Sequence, residues 1–186
     1  ARCSIDLAPA HVEAELALVY VLAAYPRNWA AGEVEFRRAL ALAPNNPDVL
    51  RALANHAAEM GRHDEAVELG RRAVALDPLS VVARRQYGRA CAAAGRFDEA
   101  AGALRAAIDL NPQAGLTHAT LSCTRLLQGR FDEALAEAER EVLPTYRFLA
   151  IAMAQHALGR ANASDAALRS LVDEDADTAA YQIAQV

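Results

Sequence analysis

The residues that most resemble acid–base machinery are three copies of a carboxylate pair: Asp64-Glu65, Asp98-Glu99 and Asp132-Glu133. Two carboxylates held together can divide into an acid and a base when their surroundings push their pKa values apart. These pairs, however, recur at one fixed spacing, each shortly after a Gly-Arg dipeptide and where a helix would begin. Recurrence at helix starts points to capping, with Asp accepting from free N–H groups and its charge favoured by the positive end of the helix dipole. His11, His56, His63, His118 and His156 show no HxxxH or HExxH spacing, and Cys3, Cys91 and Cys123 fit no zinc pattern. A Gly-rich phosphate loop, a nucleophile elbow and a catalytic triad are all missing from the sequence. The expectation is therefore no catalytic residue, no cofactor and no metal, with Cys91 and Cys123 as small buried apolar groups.

The elements that carry these residues read as helices. Of the 186 residues 54% are hydrophobic, enough for a sizeable core, and that share is mostly Ala, Leu and Val. The formal net charge is −5, and all 19 basic residues are Arg, spread among acids along the chain. A nucleic-acid or membrane surface needs clustered positive charge, so neither partner is expected. No apolar run reaches the roughly 18 residues of a membrane-spanning helix. Few cysteines and no disulfide framework fit a reducing cytoplasm.

Two independent markers share one period. Gly61-Arg62-His63-Asp64-Glu65-Ala66 returns as Gly95-Arg96-Phe97-Asp98-Glu99-Ala100 and as Gly129-Arg130-Phe131-Asp132-Glu133-Ala134, each time after 34 residues. Leu42-Ala43-Pro44, Leu76-Asp77-Pro78 and Leu110-Asn111-Pro112 keep the same step. Gly permits a left-handed cap at the end of a first helix, the following Ala allows close approach, and Pro stops the second helix. Within 98–110 the apolar positions Ala100, Ala103, Leu104, Ala107 and Ile108 make one helical stripe facing a core. Helices are expected at about 1–7, 11–25, 29–43, 47–60, 64–76, 81–94, 98–110, 115–128, 132–142, 145–158, 163–172 and 177–186. The acidic run Asp173-Glu174-Asp175 reads as a solvated turn.

The period and its marker residues resemble the tetratricopeptide repeat family, whose unit is a 34-residue pair of antiparallel helices. The match is carried by Tyr87, Gly88, Ala100, Leu104, Ala107 and Pro112 in one unit, and by Leu50, Leu53, Ala54, Ala66, Ala73 and Pro78 in another. The resemblance implies an all-α fold, a right-handed α-α superhelix of about five repeats spanning the chain as one array. The repeats are 12–46, 47–80, 81–114, 115–144 and 145–176, flanked by a repeat tail at 1–11 and a lone first helix at 177–186. The chain is therefore expected to be a piece of a longer protein.

The same resemblance implies a function: first helices of successive repeats line a concave groove that receives a segment of a protein partner. Position by position this gives Glu13 and Tyr20, then Asp48, Arg51, Asn55 and Glu59, then Arg85 and Arg89, and finally Leu116, Tyr146 and Met153. Arg forks suit carboxylates. Arg51 and Asn55 resemble half of the family's clamp for a peptide's terminal carboxylate. Gln86 stands where a second Asn is expected, and Leu116 and Thr120 replace the basic residues of the next repeat. The plainer expectation pairs Arg51, Arg85 and Arg89 with Asp48 and Glu59 on a solvated face. Trp29-Ala30-Ala31 followed by Phe36-Arg37-Arg38-Ala39-Leu40 is similar to repeats attached to bacterial signalling proteins with nucleotide-cyclase or winged-helix output domains. The expected role is a cytoplasmic interaction scaffold, the regulatory part of a larger bacterial protein. The alternatives are an oligomerisation or spacer element, self-associating through exposed terminal repeats, and a non-catalytic fragment of a repeat-bearing enzyme such as a cyclase or transferase.

Overall fold

The computed structural model of the chain describes residues 29–175. The expected segments 1–7, 11–25 and 177–186, with Glu13 and Tyr20, lie outside the described residues. Among the described residues all regular structure is helical. In chain order the helices are α1 (Trp29–Leu42), α2 (Pro47–Glu59), α3 (His63–Leu76), α4 (Val81–Ala93), α5 (Phe97–Leu110), α6 (Thr117–Leu127), α7 (Phe131–Ala138), α8 (Pro144–Ala157) and α9 (Ala161–Asp175).

The repeated glycines fold as their chemistry requires. Gly61, Gly95, Gly129 and Gly159 have φ of 73°, 75°, 73° and 72°, the left-handed region that a side chain resists. The next residue then reaches back across the helix end: Arg62 N–H donates to the Ala57 carbonyl at 2.8 Å and Arg130 N–H to the Arg125 carbonyl at 2.9 Å. These bonds satisfy carbonyls that the helix itself leaves open.

Helix starts differ from expectation in who does the capping. The N-cap positions of α3, α5 and α7 are Arg62, Arg96 and Arg130, with no side-chain cap bond, and Asp64, Asp98 and Asp132 lie inside the first turn. These aspartates act through charge at the positive helix end and are not caps. Side-chain caps occur instead on α2 and α4. Asn46 Oδ1 accepts from the N–H groups of Asp48 at 2.9 Å and Val49 at 3.2 Å, and Ser80 Oγ accepts from Ala83 N–H at 3.2 Å.

Contacts divide the chain into two compact units, Ala1–Ala94 and Gly95–Val186. In the first, α2 packs on α1, α3 and α4, and α3 on α4. Phe36, Leu50, Leu53, Leu69 and Ala73 form one buried cluster there. Gly70 lets α3 approach Tyr87, where an added Cβ would stand 3.1 Å from the ring. In the second unit, α5 through α9 pack each on the next, and α6 also touches α8. Ala101, Leu104 and Leu121 form one cluster, while Ala119, Ala138 and Ala150 form another with Tyr146 and Ile151 against it. Burying a leucine such as Leu53 or Leu104 fully contributes about 1.5–3 kcal/mol. Of the expected α5 stripe, Ala100, Leu104 and Ala107 are buried and Ala103 and Ile108 half-buried.

Two stretches depart from the sequence reading. The expected helix 132–142 ends at Ala138, and 115–128 begins at Thr117, with Leu116 left-handed at φ 70°. The cause is Glu141, which turns inward instead of continuing α7. The second departure is α9, which runs through Asp173–Asp175, so the acidic run is helix and not turn. Buried Ala167 and Leu171 extend its apolar stripe, and neither Gly nor Pro follows to stop it.

Candidate partner-binding face

In the first unit, α2 and α4 occupy equivalent places in successive repeats and touch each other. Positions 34 residues apart therefore stand side by side, which brings Asn55 next to Arg89. Arg89 Nη2 donates to Asn55 Oδ1, and Asn55 Nδ2 donates to Glu59 Oε1 at 3.2 Å. One turn earlier on α2, Arg51 approaches Asp48 Oδ1 through Nε at 3.3 Å and Nη2 at 3.2 Å. Asp48 is 68% exposed and Arg51 23% exposed. Arg85 is half-buried on the same helix as Arg89. The expected polar residues of α2 and α4 thus share one solvent-facing surface, and Arg51 and Arg89 are bound by the face's own Asp and Asn side chains.

In the second unit the candidate residues are apolar. Tyr146 is half-buried against Ala119, Ala138 and Ala150, and Met153 is half-buried further along α8. Leu116 stands just before α6, and its N–H is held by a carboxylate. That carboxylate is Glu141, 1% exposed. Its Oε1 accepts from Leu116 N–H at 3.0 Å and Leu143 N–H at 3.1 Å, and its Oε2 accepts from Ala119 N–H at 3.0 Å. It caps α6 from across the repeat. Gly115 makes room for this junction, since an added Cβ would stand 2.6 Å from Leu143 Cδ1.

The repeated Asp-Glu pairs are structural. Their glutamates bind the preceding arginine of the same motif: Arg62–Glu65 at 3.1 Å, Arg96–Glu99 at 3.8 Å and Arg130–Glu133 at 2.7 Å. Gly-Arg-x-Asp-Glu is thus one device, in which a left-handed turn exposes a guanidinium to the carboxylate three residues on. Other polar centres had no local signal in the sequence. Glu33 Oε2 lies 2.8 Å from Nε2 of buried His56 and 2.5 Å from Arg62 Nη2, while Glu33 Oε1 accepts from Arg37 at 2.9 Å. The Arg62 hydrogen bond, helped by Arg37, draws the Glu33 carboxyl down to about 2 despite burial acting the other way. His118 Nδ1 lies 2.8 Å from Glu137 Oε2. Buried Arg125 donates to Gln128, and Gln128 donates to Asp98 at 2.9 Å, tying the end of α6 to the start of α5. Burial, with Arg105 and Arg130 nearby, lowers the Arg125 pKa. Cys91 is buried as expected, and burial raises the half-buried Cys123 thiol.

A family profile described as tetratricopeptide repeat matches residues 57–119, from the end of α2 into α6. Solved structures of the same fold are similar along almost the whole chain. TTC0263, a thermophilic tetratricopeptide protein of Thermus thermophilus, superposes with a TM-score of 0.80 at 23% identity, covering 94% of this chain and 97% of its own. Residues 57–119 thus carry tetratricopeptide repeats, and the chain shares the fold of tetratricopeptide proteins. PilW, described as a widely conserved type IV pilus biogenesis factor, gives a TM-score of 0.80 at 21% identity over 100% of this chain and 87% of its own. A MamA structure from AMB-1 gives a TM-score of 0.56 at 28% identity over 69% and 70%. No curated protein matches the sequence. The tetratricopeptide assignment explains why α2 and α4 touch, and likewise α6 and α8: they are first helices of neighbouring repeats. Among the described residues no helix is long and apolar enough to cross a membrane.

Proposed function

We propose that this chain is a non-catalytic scaffold that binds a segment of a partner protein on its first-helix faces. The observation that carries the reading is the α2/α4 face, where side chains at matching repeat positions, Asn55 and Arg89, meet on an accessible surface. A helical pair needs no such polar row to fold, because its buried side supplies the packing. The fold shared with PilW and MamA supports a scaffold role. The resemblance at Trp29–Leu40 to repeats of bacterial signalling proteins supports placing the chain in the cytoplasm, as the regulatory part of a larger protein. Its partner is then another protein, or a domain of the same one.

The test is cross-linking from the face itself. A photo-reactive residue placed at Asn55 should capture a discrete partner in cells, and one at Arg169 on α9 should not. Equal capture from both sites, or from neither, would remove the assignment of this face.

A further inference from the structure

The turn between α3 and α4 holds large apolar side chains out in solvent. Leu76 is 45% exposed, Leu79 76% and Val82 41%. Leu79 departs from the repeat, whose matching positions 34 residues before and after are Asn45 and Gln113. The turn itself is well tied. Asp77 N–H donates to the Ala73 carbonyl at 3.0 Å, Ser80 N–H to the Asp77 carbonyl at 3.3 Å, and Ser80 Oγ accepts from Ala83 N–H at 3.2 Å. Leu79 is therefore presented to water by bonds on both sides of it. A lone exposed leucine needs no explanation, but three apolar side chains around one turn make a patch of the kind that meets another surface.

Two arginines frame the patch. Arg72 lies one helical turn before Leu76 on α3, and its Nη2 donates to the Pro44 carbonyl at 3.1 Å. Arg84 folds back from α4, and its Nε donates to the Pro78 carbonyl at 2.9 Å, beside Leu79. Neutral carbonyls hold both guanidinium groups, whereas Arg37, Arg51, Arg62, Arg71 and Arg130 are held by carboxylates of the chain. Among the described residues no carboxylate pairs with Arg72 or Arg84, Asp77 of the same turn included. Each arginine keeps N–H groups beyond the one in use, already oriented by its carbonyl. We propose that this turn is a second docking surface, apart from the α2/α4 face, for a segment of a partner protein in which apolar side chains are flanked by carboxylates. The segment's apolar groups cover Leu76, Leu79 and Val82, and its carboxylates meet the open edges of Arg72 and Arg84. Charge decides between occupants. The formal net charge of −5 repels an anionic membrane, and two arginines are too few to reverse that. Two copies meeting turn to turn would bring their cationic rims together. A protein segment with its own carboxylates meets neither obstacle.

The experiment uses the full chain and three fluorescent peptides of equal length with blocked ends, built from Leu and Glu, Leu and Gln, or Ser and Glu. Binding is followed by anisotropy and by backbone amide shifts. The Leu/Glu peptide should move the amides of residues 72–84 saturably. Leu/Gln should bind there about three- to ten-fold more weakly, the range expected from losing one or two exposed ion pairs, and Ser/Glu should leave those amides unmoved. Leu79→Gln matches Gln113 of the next repeat and changes an exposed side chain, so it should keep the native melting temperature. It should weaken Leu/Glu binding about ten-fold. Arg72→Gln with Arg84→Gln should make Leu/Glu and Leu/Gln equal. Unmoved amides at 72–84, Ser/Glu binding as well as Leu/Glu, or undiminished affinity in Leu79→Gln would each overturn the proposal. Shifts at Asn55 and Arg89 instead would overturn it and leave the α2/α4 reading standing. Two further outcomes replace the occupant and overturn the proposal as well. Amides 76–82 that move with protein concentration alone mean a second copy. Loss of their signals on anionic phospholipid vesicles, reversed by Leu79→Gln, means a membrane.

Discussion

Glu33 accepts from two arginines, Arg37 of its own helix and Arg62 of the turn after α2, and lies 2.8 Å from His56 Nε2 of α2, and so ties α1 to the next repeat through one carboxylate. Its pKa of about 2 lies below the ordinary 4.5, so the ionised form is favoured by folding. The stabilisation is therefore complete above about pH 4.5 and is lost as pH falls through 2. Replacing Glu33 by Gln keeps the shape and removes the charge. At pH 7 the variant should be less stable by about 1–2 kcal/mol, a figure reduced for solvent screening. Urea unfolding at several pH values checks this, since the gap between native and variant should narrow below pH 4.5. A gap constant down to pH 2 would show that the charge does not act. Glu141 works differently, as three backbone N–H groups depend on it and no cation is needed. Glu141→Gln turns an acceptor into a donor facing a donor, and should cost about 2–4 kcal/mol, with a lower urea midpoint at unchanged slope.

At the scale of the element, glycine has two opposite roles here. Gly129 ends the turn after α6 at φ 73° in open space, so only its backbone conformation matters. Gly129→Ala should destabilise by about 1–2 kcal/mol. Gly102 lies exposed inside α5 with nothing near its Cβ position, so Gly102→Ala should stabilise by about 0.5–1 kcal/mol. Thermal melts of the two variants should move in opposite directions, and a shared direction would refute this division of roles. The helix ends were legible because Gly, Pro and the Gly-Arg step act on the backbone within a few residues. The starts of α3, α5 and α7 were misplaced by one residue because Asp in a first turn and Asp at a cap leave the same local pattern. The end of α7 and the start of α6 were not legible for a different reason. Glu141 serves N–H groups 22 and 25 residues away, and no spacing rule connects them. Among the candidate face residues, the α2 and α4 set was legible because repeat period alone aligns 55 with 89. Which side chain each arginine binds depends on rotamers, which the period does not specify.

For the whole molecule, repeats in the sequence and units in space have different boundaries. The sequence repeat 81–114 pairs α4 with α5, whereas contacts divide between Ala94 and Gly95, in the turn between those helices. Equal motifs start α3, α5 and α7, yet α7 stops at Ala138 where α3 and α5 run on to Leu76 and Leu110. In the second unit every helix among the described residues has a partner inside the unit. Leu104 of α5 packs on Leu121 of α6, and Ala119, Ala138 and Ala150 join α6, α7 and α8. Ser164 Oγ donates to the Ala152 carbonyl at 2.9 Å, and α9 also buries Leu171. The Glu141 cap lies wholly within the same unit. A fragment running from Gly95 to Val186 should therefore keep its helices and melt in one cooperative step, as repeat units stabilised by their neighbours do. Circular dichroism of the isolated fragment is the measurement. A broad melt without a baseline would mean that the unit beginning at Gly95 does not fold by itself.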